Sequence, residues 1–163
     1  VAAAGRAFLV SEVPGESDGD GGLSAGLVAL ADAGRHGPAY LIGGAGTALQ
    51  LLTDPDPEQT AAAMPADRSP HWRGLDASIM QRLLIGRLWG IRDDVRAVRV
   101  VHHDAQAALQ AAADSGGTAV ICNPVSAEDV RAVAADGERV PRKSTSFGPK
   151  PRTGLVIRTF DQA

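Results

Sequence analysis

The chain has 163 residues, 44% hydrophobic, 21% charged and 4% aromatic, with a formal net charge of −3 at pH 7. That length suits a single domain whose core is built mainly from Ala, Val, Leu and Ile. The acidic balance argues against broad phosphate neutralisation on a nucleic acid, the lone Cys122 excludes an internal disulfide or a Cys-based zinc site, and no apolar run nears the roughly 18 residues of a membrane span. The expected compartment is the cytoplasm, with no signal-peptide pattern at the start. The chain opens on Val rather than Met, and an upstream part is expected.

In chain order, Ala7-Phe-Leu-Val10 predicts a strand, and residues 11–22, with four acids among four glycines, an acidic loop. Leu27, Leu30 and Ala31 give residues 23–33 a helical spacing that stops at Gly34. Residues 38–42 and 47–52 read as two strands joined by a Gly-rich turn. Residues 54–74, spotted with proline, read as a long polar loop. Asp76 predicts the N-cap of a helix reaching Trp89, with Ile79, Met80, Leu83, Leu84 and Leu88 on one face. A Val-rich strand is expected over 95–102, then a helix over 105–113 capped by Asp104. A short apolar strand over 118–122 lacks alternation and is expected at the centre of the sheet, where Cys122 is inert. Ser126 and Asp129 set a capping-box start for a helix through Ala135, stopped by Gly137. A last strand is expected over 153–159. The order implies an α/β fold: a single domain with a mixed sheet, at least one parallel pair and a strand-helix-strand-helix-strand C-terminal half.

Both lysines, Lys143 and Lys150, fall in one stretch, Pro141-Arg-Lys-Ser-Thr-Ser-Phe-Gly-Pro-Lys-Pro151, in a chain whose other fixed positive side chains are all Arg. Arg139, Arg142 and Arg152 flank them, and no acid lies between Glu138 and Asp161. Ammonium groups, the hydroxyls of Ser144 and Thr145, and backbone N–H beside Gly148 are the parts of an anion site. The stretch is not a phosphate-binding P-loop, because Arg142 stands where Gly must precede the Lys. A solvated basic loop, or one paired with the acidic loop, is the alternative.

His102-His103-Asp104 sits where a strand hands over to a helix. The two His alternate in direction and do not share a metal, so no metal site is expected, while His103 with Asp104 forms a candidate acid/base pair. Helix capping by Asp104 is the competing reading. Asn123-Pro124 occupies the equivalent turn after the next strand and is a second candidate for ligand contact, or simply a turn.

The sequence Leu75-Asp76…Val101-His-His-Asp104…Cys122-Asn-Pro124…Gly137-Glu-Arg-Val-Pro-Arg-Lys-Ser-Thr-Ser-Phe-Gly-Pro-Lys-Pro-Arg-Thr-Gly-Leu-Val156 resembles the C-terminal part of the prokaryotic family catalogued as domain of unknown function 1015. The likeness runs through Pro141, Lys143, Ser144, Thr145, Phe147, Pro149, Lys150, Thr153, Gly154 and Leu155. It departs at Val140, Arg142 and Ser146, where the family has Met, Pro and an aromatic residue. The resemblance implies a longer protein, with an upstream half similar to a ParB/sulfiredoxin-type nucleotide-binding fold found in some free-serine kinases.

The reading is an anion- or phosphate-binding C-terminal domain of a cytoplasmic enzyme acting on a phosphorylated small metabolite or nucleotide. Lys143, Lys150, Ser144, Thr145, Arg139 and Asn123 would form the binding site, with His103 and Asp104 as the catalytic pair. No cofactor is named by the sequence. The competing reading is a non-catalytic domain whose basic loop docks on a partner or on the upstream half.

Overall fold

A computed structural model describes residues 2–14, 22–44, 47–92 and 97–145. After a short 3-10 turn at Ala4–Arg6 come β1 (Leu9–Glu12), α1 (Leu23–Ala33), β2 (Tyr40–Gly44), β3 (Thr47–Thr53), α2 (Pro57–Ala63), α3 (Pro70–Gly74) and α4 (Asp76–Ile79). A π-helix over Met80–Leu88 follows, then α5 (Ala105–Ser115), β4 (Thr118–Cys122) and α6 (Ala127–Ala135). The strands form one sheet in the order β1-β3-β2-β4. All three described ladders are antiparallel, so the expected parallel pair is not among them. Helices and sheet together make one α/β domain.

Strand alternation divides the sheet into two apolar faces. Tyr40, Ile42 and Leu52, with partly buried Val120 and Cys122, meet the α3–α4–π-helix layer and α6 through Trp72, Leu75, Ile79, Leu83, Leu84 and Val133. Leu41 and Leu49, with Leu51 and Ile121, meet α1 and α5 through Leu23, Leu30 and Leu109. On that second face the elements come close because side chains are missing. A Cβ at Gly26 would lie 2.9 Å from Leu41 Cδ2, and one at Gly43 would lie 2.6 Å from Leu49 Cδ2 and 2.8 Å from Leu109 Cδ2.

Several expectations change. Among the described residues β4 pairs with β2 alone and so lies at the edge of the described sheet rather than its centre, and Cys122 is partly rather than fully buried. Residues 97–103 form no strand. Both edges of β2 are already taken, by β3 and β4, so the Val-rich run has no partner there. Residues 54–74 are not one long loop but hold α2 and α3. Each begins with a capped Pro at its first position: Asp56 accepts from the Gln59 N–H and Ser69 from the Trp72 N–H. Leu75, not Asp76, is the N-cap of α4, and the helix continues as a wide π-helix in which Trp89 N donates to Leu84 O. The predicted strand over 153–159 and most of the acidic loop lie outside the described residues, and Ser11 and Glu12 belong to β1. Among the described residues, no helix is long and apolar enough to cross a membrane.

Candidate functional site

The helix α6 ends by the Schellman-like logic its sequence announces: Gly137 takes φ 75°, and its N–H and that of Glu138 close on the carbonyls of Ala134 and Val133. The chain that leaves it, residues 137–142, is then tied to α3 and the π-helix by polar contacts. Glu138 accepts from Ser69 N at 3.1 Å and from Ser69 Oγ at 2.6 Å, so a single carboxylate holds the N-cap of α3. The indole Nε1 of Trp72 donates to Arg139 O at 3.0 Å, and Gln81 Nε2 donates to Arg142 O at 3.2 Å. His71 Nδ1 lies 2.8 Å from Asp136 Oδ2, and this hydrogen bond holds the Asp136 carboxyl below the usual range.

These ties frame a cleft of about 470 Å³ lined by Arg68, Trp72, Gln81, Arg82 and residues 137–142. Four arginines are among the described residues of its lining: Arg68, Arg82, Arg139 and Arg142. Arg68 and Arg82 stand 5.4 and 5.9 Å from the centroid of the Trp72 ring, within cation–π range. Among the described residues, Glu138 is the one carboxylate in the lining, 3.8 Å from Arg68 Nη1. The result is a local excess of positive charge on an acidic chain.

The sequence-predicted residues distribute unevenly around this cleft. Arg139 is in it. Lys143 is exposed, just past the lining, in a left-handed turn at φ 62°. Ser144 closes that turn, its Oγ donating to Pro141 O at 2.6 Å. Thr145 follows, half-buried, and Lys150 lies outside the described residues. Asp104 caps α5, accepting from Ala107 N at 2.8 Å, while His102 and His103 are exposed and 6.2 Å apart between ring centroids. Asn123 donates through Nδ2 to Leu30 O at 3.1 Å, satisfying a carbonyl at the end of α1. The connection Gly116–Gly117 turns α5 back along β4, which returns Asp104 and Asn123 to one end of the sheet, yet both side chains are engaged in helix ends. Among the described residues no group of three His, Cys, Asp or Glu is placed to hold a metal ion.

Sequence reasoning did not find Arg68, Arg82 or Gln81. Ser69-Pro70 marks a helix start, which signals α3 but not the segment that it packs against. A second buried cluster surrounds Tyr40, whose hydroxyl donates to Asp76 O at 2.8 Å. Burial pushes the Tyr40 phenol up, with Asp76 adding to it, and burial likewise raises the Cys122 thiol. The Asp76 carboxyl is raised to about 6 by burial and by the nearby Asp129. No protein-family model, curated protein or solved structure matches the chain.

Proposed function

We propose that this chain is an anion-binding domain that takes a phosphorylated small molecule or nucleotide in the arginine-lined cleft. The observation that carries the reading is the convergence of Arg68 and Arg82, fourteen residues apart in the chain, with Arg139 and Arg142 of the basic segment in one cleft of ligand size. Guanidinium groups present planar forks matched to phosphate oxygens, and a partly enclosed cleft strengthens each contact relative to open water. The likeness of residues 137–156 to domain of unknown function 1015 supports a role for the same segment. An enzymatic activity on the bound molecule, in the cytoplasm, belongs to this proposal too. His103 and Asp104 carry less of it than the sequence suggested, since Asp104 is occupied as a cap.

The test is thermal stabilisation by phosphate against chloride at matched ionic strength, on the wild type and on Arg139→Ala. Phosphate-specific stabilisation that Arg139→Ala loses supports the reading. Equal stabilisation by both anions overturns it and favours a basic surface that docks on a partner, for which the choice of small anion is immaterial.

A further inference from the structure

We propose that Glu138 is a built-in competitor of the ligand, a carboxylate fixed beside Arg68 that sets how much negative charge the arginine-lined cleft accepts. The inference rests on the anion-binding reading above and adds a control on the same site. Glu138 and Arg68 both line the cleft, and Glu138 Oε1 stands 3.8 Å from Arg68 Nη1. That separation pairs the charges but is too long for a hydrogen bond, so the carboxylate does not use up the Nη1 donors. The Arg68 side chain is 40% exposed against 13% for Glu138, and its guanidinium carbon lies 5.4 Å from the Trp72 ring centroid. An anion arriving from solvent can therefore reach Arg68, and it finds a carboxylate already there.

That carboxylate is held in place. Its Oε2 accepts from Ser69 Oγ at 2.6 Å and its Oε1 from Ser69 N at 3.1 Å. The backbone is anchored on both sides as well: Glu138 N donates to Val133 O at 3.1 Å, and Arg139 O accepts from Trp72 Nε1 at 3.0 Å. A ligand oxygen bonded to any guanidinium nitrogen of Arg68 falls within roughly 9 Å of Glu138 Oε1, about a Debye length at physiological salt. In water-like surroundings, repulsion at that range weakens the binding of a single negative charge about threefold. The repulsion is proportional to the ligand's charge, so a double charge is weakened about tenfold. Glu138 thus narrows the preference that arginines alone would give to doubly over singly charged anions.

Calorimetric titration of the full chain with sulfate and with methyl sulfate, at one ionic strength, reads this charge dependence. Both ions are tetrahedral, and at neutral pH the first carries two charges and the second one. Glu138→Gln keeps an acceptor for Ser69 Oγ, Glu138→Ala removes the carboxylate by a different route, and thermal unfolding checks that each is folded. Either variant is expected to gain about threefold for methyl sulfate and about tenfold for sulfate, and the gains should shrink as salt is raised. Glu128→Gln, which removes an exposed carboxylate of α6 outside the lining, should leave both affinities within about twofold of the wild type. Unchanged or lowered affinity in both Glu138 variants would make the carboxylate a support for Arg68 rather than its competitor. Equal gains for the two ions would make the effect one of shape rather than charge. Either result overturns the inference and leaves the anion-binding reading standing. Binding seen only in the Glu138 variants supports the inference in its strongest form, a cleft closed to anions by its own carboxylate. If neither the wild type nor the variants bind these ions or inorganic phosphate, both readings fall.

Discussion

On the α1 and α5 face, the sheet meets its helices through missing side chains: Gly26 and Gly43 let Leu41, Leu49 and Leu109 close directly on the backbone. On the opposite face the contact is made by bulk, with Tyr40, Trp72, Leu83 and Leu84 buried together, and its outer rim is laced by side-chain-to-backbone hydrogen bonds. The first face uses its polar residues to finish helices, as Asp104 and Asn123 do. The second uses them to fix the chain after α6, and so holds residues 139–142 at the cleft that Arg68 and Arg82 also line. A face closed by tight packing has no room for a ligand, whereas one closed by spaced polar ties can leave a cleft between them.

The largest expected effect breaks the second face. Trp72→Ala removes a buried indole, its hydrogen bond to Arg139 O and the ring between two cations, and should cost about 3–5 kcal/mol in denaturant unfolding. Anion affinity should fall with it. Trp72→Phe, which keeps a ring but loses the Nε1 donor, should recover much of the stability and less of the binding. A Trp72→Phe variant that binds phosphate like the wild type would show that the tie to Arg139 does not shape the cleft.

Next in size is a break in the first face. Gly43→Ala forces a methyl toward Leu49 and Leu109, whose flexible ends can yield only in part, and should cost about 1–3 kcal/mol. Phosphate affinity, measured at a temperature where the variant is still folded, should be unchanged. A matching loss of affinity would mean that the two faces are coupled through β2 rather than separable.

On the second face, where Tyr40 donates to the Asp76 carbonyl, the Asp76 carboxyl is raised to about 6 by burial and by Asp129. Its folded value lies above the unfolded value of about 3.9, so the native state holds the proton more strongly. The stability this gives is fully present below about pH 4, is lost as pH rises through about 6, and stays lost at neutral pH. Asp76→Asn should flatten that slope and add about 1 kcal/mol at pH 7, a figure discounted because the carboxyl keeps part of its hydration. Denaturant unfolding of both proteins at pH 4 and pH 7 provides the check. An equal difference at the two pH values would remove Asp76 as the origin of the slope.

What the sequence made legible follows from where the information lay. The capping box of Ser126 with Asp129 and the αL Gly137 fix α6 locally, and both were readable in order along the chain. The hairpin of β2 and β3 was equally local. The position of β4 was not: an unbroken apolar run says that a strand is covered, and helices on both faces cover an edge strand as well as a central one. The short helices α2 and α3 carry signals in Asp56-Pro57 and Ser69-Pro70, but proline marks a loop and a first helical residue alike, so composition alone does not separate the two. Of the cleft, only the basic segment was visible. Trp72 and Arg68 reach the chain after α6 through contacts spanning more than sixty residues, as the bond from Trp72 to Arg139 does at a separation of 67. Spacing along the chain carries no trace of such a contact.

The smallest expected effect separates the two chemistries first read into the turn at residue 104. Asp104 Oδ1 accepts from Ala107 N at the start of α5, an 11-residue helix rich in Ala whose other end is closed by Gly116 at φ 66°. As a cap, the side chain satisfies one of four backbone donors that the helix leaves unpaired, and truncation should cost about 1 kcal/mol. Asp104→Ser keeps an acceptor at the cap and should restore most of that loss, whereas Asp104→Ala should not. Neither change should alter phosphate affinity, because Asp104 is not in the lining of the arginine cleft. An acid/base partner of His103 would behave differently. With an active substrate in hand, both variants would then lose turnover, and the serine would rescue stability without rescuing rate. Equal turnover in the wild type and the serine variant, with the stability loss confined to the alanine variant, would leave Asp104 as a cap alone.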